Sequence, residues 1–196
     1  AAAVVAMIGF GGWIYYNTNV VNDYTTTRSR EREQAEYEKV LIGYENVPQP
    51  RITDVTLDVA LYPDEPRAVT RGAYVIQNRT GQPLAAVHVR WLKPLQMTKL
   101  DVEGATLERE HVDQDYRIYR FQRPLAPLEV RRITFETLRE QQGFRNSDNE
   151  RRIVDNGTFL DNTEIAPMLG MSREGLLQDR AKRRKYGLPP ELRPAK

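Results

Sequence analysis

The chain has 196 residues, 29% of them charged, with 29 basic against 27 acidic side chains and a formal net charge of +2. That near balance argues against a dedicated nucleic-acid binder, which carries a clear excess of Lys and Arg on one face. The absence of cysteine excludes disulfides, thiolate zinc sites and thiol nucleophiles, and two histidines, His88 and His111, are too few for a multi-histidine metal site.

Residues 1–16, "AAAVVAMIGFGGWIYY", are apolar and uncharged and end on an aromatic cluster, Trp13, Tyr15 and Tyr16. A signal peptide would need a basic start and small residues at its end, and neither is present. As a helix the run reaches roughly 24 Å, short of the ~30 Å hydrocarbon core. The aromatic cluster stands where an interfacial belt belongs, with apolar ring bodies inside and polar tips at the headgroups. The reading is the C-terminal part of a transmembrane helix that begins upstream, with a buried N-terminal helix as the alternative. The flank "NTNVVNDYTTT" has one acid and no base. It favours an exit on the non-cytoplasmic (periplasmic or extracellular) side.

Residues 17–50 read as a helical stalk and linker. Thr26 or Thr27 can cap a helix, with Glu31 and Glu33 near its positive end. Tyr37, Val40, Leu41 and Tyr44 fall at i, i+3, i+4 and i+7, an apolar stripe that must rest on something. Pro48 and Pro50 stop the helix.

From residue 51 to 140 the period changes to two. "ITDVTLDVALY" alternates Val55, Leu57, Val59 and Leu61 with polar or small residues. "PDEPR" turns the chain, "AVTRGAYVIQN" forms a second strand, and "NRTGQP" turns again into "LAAVHVRWL". "RIYRFQR" and "VRRITFETL" supply two more strands. Five or six strands joined by short polar turns predict a mainly β fold, an antiparallel β-sandwich. His88 lies on a strand face opposite Val87 and Val89, and His111 in the polar "LEREHVD"; neither has a second histidine at ligand spacing.

Residues 141–196 turn irregular, and the apolar side chains of "IVDNGTFLDNTEIAPMLGM" call for burial against something. "SREGLLQDRAKRRKYG" reads as a short helix closed by Gly187 and "LPP". Its "AKRRK" run, with Asp179 close by, reads as a solvated face and not as a polyanion site. A Pro-rich linker toward a further, missing domain ends the chain.

In this order the features resemble the aminopeptidase N family of zinc metallopeptidases. The carriers are Tyr62-Pro63-Asp64 at a turn, Gly72 and Tyr74 in the next strand, the turn Asn78 to Pro83, and the strand–turn–strand "YRIYRFQRPLAPLEVRRITFE". That last stretch has Leu128 where the family usually has Gly. "IVDNGTFL" (residues 153–160) and "RRKYGLPP" (residues 183–190) resemble bacterial proteins that fuse an ABC-2-type permease half to an aminopeptidase half.

The resemblance implies a membrane-anchored N-terminal β-domain that helps shape the active site of a catalytic domain lying beyond Lys196. Family chemistry needs an H-E-x-x-H helix and a distant Glu to hold zinc, and a G-x-M-E-N loop to grip the substrate amine. Neither motif occurs here. No catalytic residue, metal ligand or cofactor is therefore expected in this chain. Alone it is expected to be inactive, with zinc belonging to the missing domain of a parent hydrolase. By position, the loop "FLDNTEIAP" offers Asn162 and Glu164 as substrate-facing residues, the carboxylate suiting a cationic amine. The implied partners are a lipid bilayer, the catalytic domain and, indirectly, a peptide; nucleic acid is not among them. The rival reading is a membrane-tethered binding or assembly module of a transporter, without peptidase activity.

Overall fold

The computed structural model describes residues 2–147 and 152–192; the last residues of the Pro-rich end lie outside them. The fold is mainly β, with two four-stranded antiparallel sheets and flanking helices. Strands β1 (Arg51–Tyr62), β2 (Arg67–Gln77), β7 (Val130–Glu140) and β4 (Leu95–Val102) form one sheet in the order β1-β2-β7-β4. Strands β5 (Ala105–His111), β6 (Tyr116–Leu125), β3 (Leu84–Arg90) and the short β8 (Met168–Leu169) form the other, in the order β5-β6-β3-β8.

Their inner faces meet in one core of Tyr74, Ile76, Val87, Val89, Tyr119, Phe121, Ile133 and Phe135, among others. The alternation in the sequence explains which side chains enter it, since successive strand residues point to opposite faces. In β1 only Leu57 and Val59 reach the core; Val55 and Leu61, at the same phase, are 54% and 43% exposed because this edge strand overhangs it. Strands β4 and β5 have no counterpart in the sequence reading. They belong to different sheets, β4 pairing with β7 and β5 with β6, and the chain crosses between the sheets at a tight turn marked by Gly104 at φ 67.

Gly72 of β2 is required by packing. A Cβ there would lie 2.2 Å from Cζ of Phe135 and 2.8 Å from Cδ2 of Leu57, so the glycine makes room for the Phe135 ring. Asn78 is fully buried. Its Nδ2 donates to the carbonyls of Gln82 and Leu125, both at 2.8 Å, and its Oδ1 accepts from the Thr80 hydroxyl at 2.7 Å. Those bonds fold the β2–β3 turn back on itself. Leu128, where the resembled family favours Gly, takes φ 65.

The described residues form four α-helices: α1 (Ala2–Tyr15), α2 (Thr27–Leu41), α3 (Asn162–Ile165) and α4 (Arg180–Lys185). α1 runs into a π-helical stretch, Tyr16–Val21. No helix among the described residues is long and apolar enough to cross a membrane. α1 has 14 residues, and none of them is buried.

α2 starts at a capping box, with the Thr26 hydroxyl accepting from the Ser29 N–H and the Ser29 hydroxyl accepting from the Thr26 N–H. Its stripe rests on the outer face of the second sheet, where Leu41, Tyr116 and Ile118 are buried together against Tyr37 and Tyr44. Val40, the fourth stripe residue, stays 37% exposed. The helix expected from Ser172 onward is confined to α4, capped by Asp179 and ended by Gly187 at φ 72.

Candidate functional site

Three polar clusters fall outside the apolar core. The first holds the two sequence candidates. α3 is a single turn with a capping box: Asp161 accepts from the Thr163 N–H at 2.8 Å, and Glu164 Oε2 accepts from the Asp161 N–H at 3.1 Å. Asn162 is exposed on that turn, whereas Glu164 is 7% exposed. Its carboxylate also meets Arg139 of β7 at 3.0 Å and Arg152 at 3.2 Å. The helix thus presents Asn162 to solvent and turns Glu164 inward, although the two are only two positions apart. A cationic ligand at Glu164 would be the third cation on this carboxylate. Of the two guanidinium partners, Arg152 is the more exposed. Neighbouring bonds pin the turn to the sandwich: the Thr137 hydroxyl donates to the Ile165 carbonyl at 2.6 Å, and the Tyr74 hydroxyl to the Pro167 carbonyl at 3.0 Å. Burial pushes the Tyr74 hydroxyl up to about 12.

The second cluster lies under α2. His88 is 4% exposed, with Nδ1 at 2.7 Å from the Tyr116 hydroxyl and its ring edge-on to Tyr44. Burial pushes its pKa down to about 4, partly opposed by Glu108. His111, also shifted down by burial and by Arg109, stands 3.5 Å from the Tyr44 hydroxyl. His88 also borders an open groove of about 850 Å³ whose lining includes Tyr44, Thr80, Gln82, Glu108, Arg109 and Arg120. Two aromatic-bound histidines do not make a metal centre. No group of three or more His, Asp or Glu among the described residues could hold an ion.

The third cluster is the one the sequence concealed. Within "AKRRK", Lys182, Arg184 and Lys185 remain on the solvated face the sequence suggests, but Arg183 turns inward and clasps α2. Arg183 is 1% exposed and makes a two-pronged contact with Glu38, Nη1 to Oε2 at 2.8 Å and Nη2 to Oε1 at 2.6 Å. It also donates to the carbonyls of Leu177 and Pro189, both at 2.7 Å. Lys182 and Lys185 flank Glu31 at 3.0 and 2.8 Å and hold its carboxyl down at about 2. Ala35, Leu177 and Leu188 form the small apolar centre of this contact. A signal was present: Glu31 and Glu38 are seven residues apart, on one face of α2.

No family model matches the chain, and no curated protein matches it. Among solved structures, the crystal structure of M1 zinc metallopeptidase from Deinococcus radiodurans is similar at 15% identity with a TM-score of 0.38, covering 52% of this chain and 24% of that one. A mutant of the two-domain M1 zinc metallopeptidase bound to L-arginine gives 15% identity and a TM-score of 0.38, covering 57% of this chain and 26% of that one. The chain therefore spans about a quarter of the length of these structures. Likeness at this level transfers no residue's role.

Proposed function

We propose that the chain is the membrane-tethered N-terminal β-domain of a zinc aminopeptidase-like protein, packing on a catalytic domain that follows it and helping to shape its active site. The observation that carries the tether is α1. Val5, Met7, Ile8 and Phe10 are each between 66% and 70% exposed, and the helix is apolar on every side. A helix without a polar face belongs in a core or in lipid, and this one enters no core. The aromatic cluster at its end suits the headgroup level. The peptidase part of the reading is supported by the motif order from Tyr62-Pro63-Asp64 through Asn78 to Pro83.

Within that reading zinc belongs to the catalytic domain, and the described residues offer it no site. Asn162 and Glu164 are the residues on the substrate-facing loop. Asn162 is free to meet a peptide directly, and Glu164 acts on a substrate amine only when Arg152 gives way. A multi-pass permease half before α1 is the fuller form of the same proposal, with the β-domain on the non-cytoplasmic side. The tether is tested by flotation of the 196-residue chain with phosphatidylcholine vesicles. The chain is expected to float, and a Val5→Asp/Ile8→Asp variant, altered only at exposed positions, to stay at the bottom of the gradient. Equal behaviour of the two would remove the tether.

A further inference from the structure

We infer that one end of the sandwich, formed by the β1–β2 turn and residues 142–146, lies against the phospholipid headgroups, held there by a rigid junction with α1. This rests on the tether proposed above and adds to it an orientation and a second lipid-contacting surface.

The junction is built from the polar residues after α1. Asn17 and Thr18 are 3% and 6% exposed, although they follow a helix with no buried residue. Asn22 Nδ2 donates to the carbonyls of Gln142 at 2.9 Å and Phe144 at 3.4 Å, and its Oδ1 accepts from Arg145 Nε at 3.0 Å. Asn146 pairs with the backbone of Thr25 in both directions, accepting its N–H at 3.0 Å and donating to its carbonyl at 2.5 Å. Gly143, at φ 58, lets the loop approach: a Cβ there would stand 2.3 Å from Asn17 Oδ1. Because both sides contribute backbone and side-chain partners, the segment leaving α1 is docked on the sandwich and does not act as a free tether.

The next link carries that fixed point to the β1–β2 turn. The Gln141 N–H donates to the Pro66 carbonyl at 2.9 Å. This turn presents Leu61 and Tyr62, 43% and 42% exposed, with the Arg67 guanidinium 4.4 Å from the centre of the Tyr62 ring. The tyrosine–arginine pair on one face of this strand end and Leu61 on the other suit the interfacial zone, where one end of a group is dry and the other wet. Arg67 is paired with Glu65 at 2.9 Å, so the tip carries little net charge and is suited to zwitterionic headgroups. The occupant is the bilayer that takes α1, since the two surfaces are joined through a few bonded residues.

The chain has no cysteine and only two tryptophans, so single labels are unambiguous. Asp64→Cys places a fluorophore on the β1–β2 turn. Gly81→Cys places it on the β2–β3 turn at the other end of β2, roughly 36 Å away for an 11-residue strand. Both variants are reconstituted as full chains in phosphatidylcholine vesicles carrying headgroup-linked nitroxide quencher. In a Trp91→Phe background, brominated acyl chains report on Trp13. The expected result is quenching of Trp13 together with quenching at Asp64→Cys several-fold stronger than at Gly81→Cys. Quenched Trp13 with equal or reversed label quenching overturns the orientation alone. Unquenched Trp13 overturns the tether, and the orientation with it.

Discussion

Arg183→Met should detach α4 and its flanks from α2 without unfolding the sandwich. The substitution removes four hydrogen bonds, two to Glu38 and one each to the carbonyls of Leu177 and Pro189. It leaves the Glu38 carboxylate, 4% exposed, without its countercharge. Removing one partner of a buried pair costs about 3–5 kcal/mol. Against this, burial of Leu177 and Leu188 contributes about 1.5–3 kcal/mol each, or roughly 3–6 kcal/mol for the contact. Because the loss matches what holds the segment, local release is the cheaper response. It lets Glu38 reach water while the core around Phe135 stays intact. Hydrogen exchange measures this. The amides of Arg183 and Leu188, bonded to the carbonyls of Asp179 and Arg183, should lose protection while those of β2 and β7 keep it. The cycle with Glu38→Met should return a favourable coupling above about 1 kcal/mol, with the double variant more stable than Arg183→Met. Unchanged protection at Leu188, or a coupling near zero, would refute the account of the clasp.

Gly72→Ala should destabilise the sandwich by about 1–3 kcal/mol, because Phe135 must leave its position; a urea midpoint equal to that of the parent would show the glycine to be dispensable. His88 makes stability depend on pH. With its folded pKa depressed to about 4 and an unfolded value near 6.5, the unfolded chain binds the extra proton in that window. Its contribution is therefore complete above pH 6.5 and falls on acidification by about 2 kcal/mol at pH 5. His88→Phe should flatten the fall in urea midpoint between pH 7 and 5, and an unaltered slope would contradict the assignment. Glu164→Gln should cost about 3–5 kcal/mol by taking the countercharge from the buried Arg139, whereas Asn162→Ala, at an exposed position, should stay within about 0.5 kcal/mol. Comparable melting temperatures for the two variants would run against the geometry.

The core strands were legible because their inward residues are apolar and alternate, as Tyr74 and Ile76 or Val87 and Val89 do. Strands β4 and β5 were not, since each lies at the edge of its own sheet and β5 sets mostly polar residues on both faces. The family-like motifs fall at sites of packing: Gly72 makes room for a ring, Tyr74 ties a loop carbonyl, and Asn78 closes a turn. The clasp was hidden for a different reason. A charge run reads as solvated unless its partners are known, and Glu38 lies 145 positions from Arg183. For Glu164, the chain position gave the loop but not the two arginines that reach it from β7 and from residue 152.

The most direct test of the central proposal is whether the reading frame continues past Lys196, and with what. The account predicts an H-E-x-x-H helix with a later zinc-binding Glu, and with it chelator-sensitive hydrolysis of aminoacyl reporters by the longer protein but not by residues 1–196 alone. A reading frame that ends or continues without that motif, or turnover by this chain alone, would contradict it.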